Sequence, residues 1–377
     1  MNFIKPHIDS GYIPLLHKPF IQHNIIEGME VCMQDPAYAT PNLSQWFRSK
    51  RSLGSKDRKV VAEALYCFVR FHEWFAHHNI HSIQDKIQYI LDPDPATHTT
   101  DISQLSLWEY TKIQLSIPEI VATAWAKQLQ NIEMVQQFAQ HMQQRAPMDI
   151  RCNAHLLSRD LLLRSLQKSE IPCSIIDSTP YGIRLHKNTQ MHTLQQFTDG
   201  LLEIQDSSSQ LFCASLPIQK KTTVFDMCAG AGGKSLAIAA MGATVYAHDP
   251  RSHALQELQK RAQKSKLHIQ TTIPKKQVDI VVVDAPCSGS GRLRREPLIR
   301  LKWQKQSPLQ WVEIQQKLLM DATKFVQPNG CIAYATCSLL PEENAHDIPG
   351  WTRETRYIWP HIHDSDGFSW SIYRRTT

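Results

Sequence analysis

The chain has 377 residues, 42% hydrophobic and 20% charged, with a net charge of +6. That length suggests about two or three domains, and such a composition argues against a mainly disordered chain. The mild positive charge permits a nucleic-acid partner without requiring one, because a solvated basic surface gives the same number. Nine cysteines occur with no CxxC pair and no histidine at zinc-finger spacing, so no metal site is indicated and reduced thiols of a cytosolic protein are expected. Met1-Asn2-Phe3-Ile4-Lys5-Pro6 lacks an apolar core of signal-peptide length, and no stretch approaches a spanning helix. The expected location is therefore the cytoplasm, with no membrane partner.

Residues 1–145 read as helical. Val60, Val61, Ala64, Leu65, Phe68, Phe71 and Phe75 recur at three-and-four spacing, which predicts an apolar stripe along one helix. Asp92-Pro93-Asp94-Pro95 interrupts the pattern, and further helices are expected around Leu105–Leu115 and Ile120–Met142. Arg48, Lys50, Arg51, Lys56, Arg58 and Lys59 are candidates for phosphate contacts, the alternative being a solvated loop leading into a helix. Arg145-Ala146-Pro147 marks a boundary. From 146 to 217 the pattern is mixed: a strand at Ile150–Leu156, a helix at Ser158–Ser169 with Ser158 as its N-cap, and short strands near Ile175 and Ile183. This predicts a small α+β subdomain.

From 218 to 377 strands alternate with helices, the signature of an α/β domain with a doubly wound parallel sheet. Strands are expected at Thr222–Met227, Ala243–His248, Val278–Asp284 and Cys331–Thr336, and helices at Gly233–Met241, Ser252–Lys264 and Leu309–Val326. Pro328-Asn329-Gly330 supplies a turn before the last of these strands.

The first strand of this domain ends at Asp226 and runs into Met227-Cys228-Ala229-Gly230-Ala231-Gly232-Gly233-Lys234-Ser235. A strand, a glycine-rich turn and a helix make a nucleotide-type site, because glycines let backbone approach a ligand and a helix start offers free N–H groups. A Walker A loop would need glycine where Cys228 stands. A dinucleotide fingerprint would need a small third residue where Ser235 stands, and no partner for hydride transfer is visible. S-adenosylmethionine suits what remains, since it needs a tight turn but no pyrophosphate cradle. Asp249, nineteen residues after Gly230, fits a carboxylate accepting both ribose hydroxyls, or a helix N-cap before Pro250, or both. Lys234 is either a helix-surface lysine or part of the site.

Two apolar runs end at a polar residue and a cysteine: Val281-Val282-Val283-Asp284-Ala285-Pro286-Cys287-Ser288-Gly289-Ser290-Gly291 and Tyr334-Ala335-Thr336-Cys337-Ser338. Buried parallel strands read this way when they deliver side chains at their carboxyl ends, where open α/β sheets bind ligands. Two cysteines arriving there together point to thiol chemistry. Cys32, Cys67, Cys152, Cys173, Cys213 and Cys331 are read as small buried hydrophobes, and Cys228 as packing under the glycine turn.

These paired motifs resemble those of the Sun/RsmB-type RNA cytosine-5 methyltransferases of bacteria. The glycine turn resembles the family's cofactor loop, and Arg294-Arg295-Glu296-Pro297 with Lys302-Trp303 resembles its basic segment. Thr336-Cys337-Ser338 with Leu340-Pro341-Glu342-Glu343-Asn344 is similar to the nucleophile strand and the helix start behind it, and Gly200–Gln210 to the entry of the catalytic domain. The resemblance covers the C-terminal two thirds. It implies a Rossmann-like methyltransferase domain at 218–377, a NusB-like RNA-binding domain at 1–145, and S-adenosylmethionine held by Asp226, Cys228, Ala229, Gly230, Gly232, Gly233, Lys234, Asp249 and Asp284. It implies Cys337 as the nucleophile that adds to carbon 6 of cytosine, Cys287 as the residue assisting release, and Asp284 as the group bonding the ring at nitrogen 3 and its amine. Arg292, Arg294, Arg295 and Lys302, with Arg300, Lys305 and Trp303 nearby, are expected to grip RNA. Small-subunit ribosomal RNA is the expected partner and transfer RNA the second. Oligomeric state is open.

Departures from the family pattern exist. The stretch Lys266–Gln277 holds no carboxylate where the family usually places one after its third strand; Gln270 or Thr271 would substitute weakly. Weaker cofactor binding is the expected result. Asp366-Gly367-Phe368 resembles the family's closing hairpin, but Ser369 and Trp370 differ from it and Asn344–Asp366 is brief. His361 and His363 read as strand or loop residues, not metal ligands. These departures motivate an alternative: an RNA-binding or ribosome-assembly factor that keeps the fold with little or no catalysis.

Overall fold

The computed structural model describes residues 4–92, 102–187 and 189–376; Pro93-Asp94-Pro95, expected to break the helical pattern, lies outside them. Two compact units result, Met1–Arg145 with Arg292–Gln310, and Ala146–Gly291 with Trp311–Thr377.

The first unit is helical. Its apolar stripe does not lie on one helix: Ser55–Arg70 and His72–His77 are separate, divided at Phe71 (φ −114°, ψ 21°). The aromatic run Phe71-His72-Glu73-Trp74-Phe75 has weak helix preference, and burial of Phe68, Phe71, Trp74 and Phe75 decides its path instead. Helix Leu107–Leu115 starts at a capping box in which Ser106 and Glu109 satisfy each other's backbone N–H groups. The single helix expected over Ile120–Met142 is two, Glu119–Leu129 and Ile132–Gln143. Gln130 turns left-handed (φ 68°) and the Asn131 side chain accepts from Met134 N at 2.9 Å, capping a new start.

The second unit carries two sheets. Strands β1 (Met148–Cys152), β2 (Cys173–Ile175), β3 (Gly182–Leu185) and β4 (Leu202–Ile204) form an antiparallel sheet in the order β2-β3-β1-β4. Helix Arg159–Lys168, with Ser158 at its N-cap, buries Leu162 and Leu166 in the core of this sheet. The larger sheet is built from β5 (Thr223–Asp226), β6 (Thr244–Ala247), β7 (Ile269–Gln270), β8 (Val278–Asp284), β9 (Val326–Thr336), β10 (Trp351–Ile358) and β11 (Phe368–Arg375). Its order is β10-β11-β9-β8-β5-β6-β7, parallel from β9 to β7, with β11 antiparallel to both neighbours.

The unbroken apolar run Ile280–Val283 within β8 follows from burial on both faces. Val281 and Val283 pack with Phe225, Ile332 and Tyr334, while Ile280 and Val282 pack with Val224, Ala333 and Ala335. Each such valine contributes on the order of 2 kcal/mol. The chain order reverses between β5 and β8, so a crevice opens at their carboxyl ends.

The expected turn at Pro328-Asn329-Gly330 is absent: β9 runs unbroken through it, and the register against β8 shifts between Val278 and Ile280. An extended pairing absorbs the extra residues as a bulge. Consequently the helix expected over Leu309–Val326 is shorter, Val312–Ala322.

The expected domain 218–377 is also interrupted. Arg292–Gln310 belongs to the helical unit, where Leu293, Leu298, Ile299, Leu301 and Trp303 are buried. Their apolar area decides where the segment folds. His361 and His363 sit in a single helical turn, Pro360–His363.

Candidate active site

Thr336 and Asp284 end the neighbouring parallel strands β9 and β8, and the chain beyond each carries a cysteine toward the other. Cys287 Sγ and Cys337 Sγ lie 3.2 Å apart as thiols, with no disulfide between them. The hydrogen bond to Cys337, and then burial, hold the Cys287 thiol well above its ordinary pKa, so Cys287 keeps its proton.

A buried polar network fixes both turns. The Glu343 carboxylate is fully buried. It accepts from Ser288 N (2.8 Å), Ser288 Oγ (2.6 Å) and Gln315 Nε2 (3.1 Å), while Gln315 Nε2 also donates to the Pro286 carbonyl at 2.8 Å. Ser338 Oγ meets Ser290 Oγ at 3.0 Å, and Ser290 Oγ accepts from Leu339 N at 3.0 Å. Asn344 donates to the carbonyls of Ser338 and Leu340, and Thr336 Oγ1 donates to Asn344 Oδ1 at 2.7 Å. Ser288 and Ser338 each follow a cysteine, so Glu343 and its neighbours set the distance between the two sulfurs. Gly291 N donates to the Cys337 carbonyl and Gly367 N to the Gly291 carbonyl. A Cβ on Gly291 would overlap the Gly367 carbonyl, so the backbones approach this closely only as glycines.

Beside the thiols, Lys234 Nζ lies 2.5 Å from Asp284 Oδ2 and 5.2 Å from the centre of the Phe368 ring. Burial opposes the Lys234 charge, but Asp284 outweighs it and the ammonium is held above its usual pKa. Lys234 is therefore turned inward onto Asp284 and not free on the helix surface.

The glycine turn stands at the carboxyl end of β5. Gly232 adopts φ 84°, and a Cβ there would stand 2.5 Å from Leu258 Cγ, so glycine is required twice over. Buried Asp226 accepts from Ser235 Oγ at 2.6 Å through Oδ2, while its Oδ1 has no partner; burial pushes it up to about 6. Cys228 packs against Phe225, Val281 and Val283 on one face of the sheet, and burial raises its thiol. Asp249 accepts from Gly230 N at 2.9 Å and from Arg251. Arg261 ties the turn to β4, donating to the Ala231 carbonyl (2.6 Å) and to Glu203 (2.8 Å). A tight turn, an orphaned buried carboxylate oxygen on Asp226 and a second carboxylate on Asp249 fit a nucleoside-bearing cation such as S-adenosylmethionine, which Asp226, the Ala229–Gly233 backbone and Asp249 would hold. After β7, Thr271 Oγ1 accepts from Gln259 at 2.8 Å, and the position carries no charge.

The basic segment is thinner than expected. Arg294, Arg300 and Trp303 are buried in the helical unit, and Arg300 donates to the carbonyls of Leu115 (2.8 Å) and Leu293 (3.1 Å). Arg294 therefore presents no surface for RNA. Arg295 and Lys305 are exposed, Lys302 is half-buried, and Arg292 pairs with Glu296 at 2.9 Å. Upstream, Arg58 is spent on the carbonyls of Phe47, Lys50 and Leu53, and Lys50 pairs with Glu27, whereas Arg48, Arg51, Lys56 and Lys59 remain exposed.

Sequence reasoning missed Glu343 and Asn344 as site residues, although they stand in the segment Pro341–Asn344. That segment is a single 3-10 turn, not the start of a helix. It also missed Arg251 and Arg261. A buried Glu-Asn pair six and seven residues after a motif cysteine is the only signal the sequence held.

The seven-stranded sheet, with its ligand-side glycine turn and carboxylates at the reversal point, is that of a Rossmann-like methyltransferase. Two solved structures share the fold: a methyltransferase homolog protein from Pyrococcus horikoshii (TM-score 0.62, 22% identical, 72% of this chain, all of that one) and NSun6 from the same organism (TM-score 0.60, 15% identical, 72% of this chain, 98% of that one). Residues 213–356 match the family model described as 16S rRNA methyltransferase RsmB/F, and residues 117–192 match the ferredoxin-like domain of the same group. Ribosomal RNA small subunit methyltransferase B of Proteus mirabilis is 29% identical over 252 residues, 62% of this chain and 60% of that protein. The chain spans 56–63% of the length of that relative and two similar ones. Residues 117–192 and 213–356 thus match the two parts of the RsmB/F methyltransferase group.

Proposed function

We propose that this chain transfers a methyl group to carbon 5 of a cytosine in RNA, with small-subunit ribosomal RNA as substrate and S-adenosylmethionine as cofactor. The observation that carries the reading is the pair of thiols 3.2 Å apart at the carboxyl ends of β8 and β9, beside Lys234 and Asp284. The family match to RsmB/F methyltransferases supports the ribosomal substrate, and the NSun6 structure containing the ligand SFG supports a nucleoside cofactor at this turn.

S-adenosylmethionine, when bound, supplies an electrophilic methyl group. The chain supplies the rest. Cytosine carbon 5 is a poor nucleophile until a sulfur adds at carbon 6 and gives carbon 5 enamine character. Cys337 forms that carbon–sulfur bond as a thiolate. Cys287, which keeps its proton, donates its S–H to the Cys337 sulfur and so stabilises negative charge there. Asp284, fixed by Lys234, accepts from the amine and from a protonated nitrogen 3, and that N3–H takes up the charge that develops as sulfur adds. The target base leaves its stack to reach this crevice. After carbon 5 is methylated its proton passes to water. The freed electron pair restores the carbon 5–carbon 6 double bond, and the carbon–sulfur bond breaks with its electrons returning to Cys337. Cys287 assists by donating its S–H to that departing sulfur. Arg295, Lys302 and Lys305, with Arg48, Arg51, Lys56 and Lys59, contact RNA phosphates.

The test is expression of Cys287→Ala and a search for a slow-migrating band on a denaturing gel that ribonuclease removes. The reading requires that band, its loss in Cys287→Ala/Cys337→Ala, and a cytosine at the crosslink when the bound RNA is sequenced. Purified wild-type chain that binds RNA yet neither methylates it nor gives the band in the variant would instead identify a binding factor.

A further inference from the structure

Asp249 is the carboxylate whose two oxygens face the ribose in the reading above, and both oxygens are already engaged by one side chain. Arg251 Nε donates to Oδ1 at 2.8 Å and Arg251 Nη2 to Oδ2 at 3.0 Å. Two backbone groups complete the set, Arg251 N on Oδ1 and Gly230 N on Oδ2, each at 2.9 Å. Asp249 is 5% exposed while the Arg251 side chain is 62% exposed, so the carboxylate is fixed and the guanidinium is the movable partner. The Arg251 side-chain fork holds Asp249 well down, to about 2.

A vicinal diol and a guanidinium edge make the same demand on a carboxylate: two donors, side by side, one to each oxygen. The backbone N–H groups of Arg251 and Gly230 are compatible with a diol, since they approach from the chain side. The Arg251 fork is not. Its Nη2 also lies 3.7 Å from where a Cβ of Gly230 would stand, over the tight turn itself.

We propose that Arg251 is an internal competitor for the ribose position: its guanidinium mimics the cofactor's diol on Asp249 and must swing into solvent before the cofactor seats. This rests on the assignment of S-adenosylmethionine to the glycine turn. A latch closed about nine-tenths of the time raises the apparent dissociation constant about tenfold, because only the open fraction is competent. The uncharged position at Thr271 works in the same direction, so the chain weakens its cofactor site in two places.

The experiment is calorimetric titration of the full chain and of Arg251→Ala with S-adenosylhomocysteine and with its 2′-deoxy analogue. Arg251 is exposed, and matched melting temperatures check that the variant folds. The expected result is binding about threefold to tenfold tighter in the variant, within the range of one bidentate ion pair, and by the same factor for the 2′-deoxy analogue, since the fork must open for either ligand. Arg251→Lys, which keeps the charge but loses the fork, falls between. Raised chloride narrows the gap by screening the exposed ion pair. Unchanged or weaker affinity in Arg251→Ala, for either ligand, overturns the proposal. No binding by either protein overturns the cofactor assignment instead, so the two failures are told apart.

Discussion

The two ends of the crevice are built on opposite terms. At the thiol end, Glu343 alone receives three hydrogen bonds, and Ser288, Ser290, Ser338, Asn344 and Thr336 bond each other. At the glycine turn, buried Asp226 has one side-chain donor and an orphaned oxygen, and Asp249 is held by a side chain that is mostly in solvent. Covalent chemistry needs sulfur placed to within a fraction of an ångström, and a fully satisfied buried network supplies that rigidity. A cofactor that enters and leaves each cycle needs groups left open for it. Burying an unsatisfied carboxylate costs stability, which is the expected mark of a binding position.

The sharpest break of this contrast is Cys337→Ala. Methyl transfer falls to background, measured with labelled cofactor, while the melting temperature is nearly unchanged because a small thiol on a rigid frame is lost. Retained activity would end the covalent reading.

Asp226→Asn tests the strain at the glycine turn through pH. Burial raises Asp226 from 3.8 to about 6, so its contribution favours the fold below the unfolded pKa and is lost as pH rises through the folded value. Relative to Asp226→Asn, the wild type therefore loses stability between pH 4 and 7, by up to about 3 kcal/mol for a shift of roughly two units. Denaturant melts of both proteins across that range measure it. Asp249 shifts the other way, to about 2, and its stabilising share is present above the unfolded pKa and lost only as pH falls through 2.

Glu343→Gln probes the thiol end. It exchanges an acceptor for a donor opposite Ser288, costing about 1–3 kcal/mol. The buried anion also works to raise the Cys287 thiol. Its removal shifts iodoacetamide labelling of Cys287 to lower pH, a change that loosened packing alone does not predict.

The smallest effects compare redundancy. Ser235→Ala leaves Asp226 with no side-chain donor and costs about 1–2 kcal/mol, whereas Gln315→Met leaves Glu343 with both Ser288 bonds and costs about 1 kcal/mol or less. Urea midpoints decide it, and equal losses would mean that the thiol end is no better buffered.

Much of this was legible in the chain. Helix Ser252–Lys264 appears at the bounds that its apolar spacing predicts, and β8 ends at Asp284 as its run of valines requires. The elements misread are those where a local signal met a stronger distant one. Pro328-Asn329-Gly330 favours a turn, but pairing between β8 and β9 stretches it into strand. Arg294 and Trp303 read as an RNA-gripping strip, but the leucines between them bury in the helical unit.

What the sequence by itself determined is the order of strands and helices, the glycine turn and the arrival of a cysteine after each of two strands. Hydrophobic period, β-branched runs and glycine positions are local, and the chain states them directly. Only the tertiary structure decided that the two sulfurs stand 3.2 Å apart, that Glu343 holds both of their turns, and that Arg251 lies on Asp249. Those facts depend on side-chain geometry across gaps of up to fifty-five residues and on which surfaces exclude water. No spacing rule along a chain encodes either.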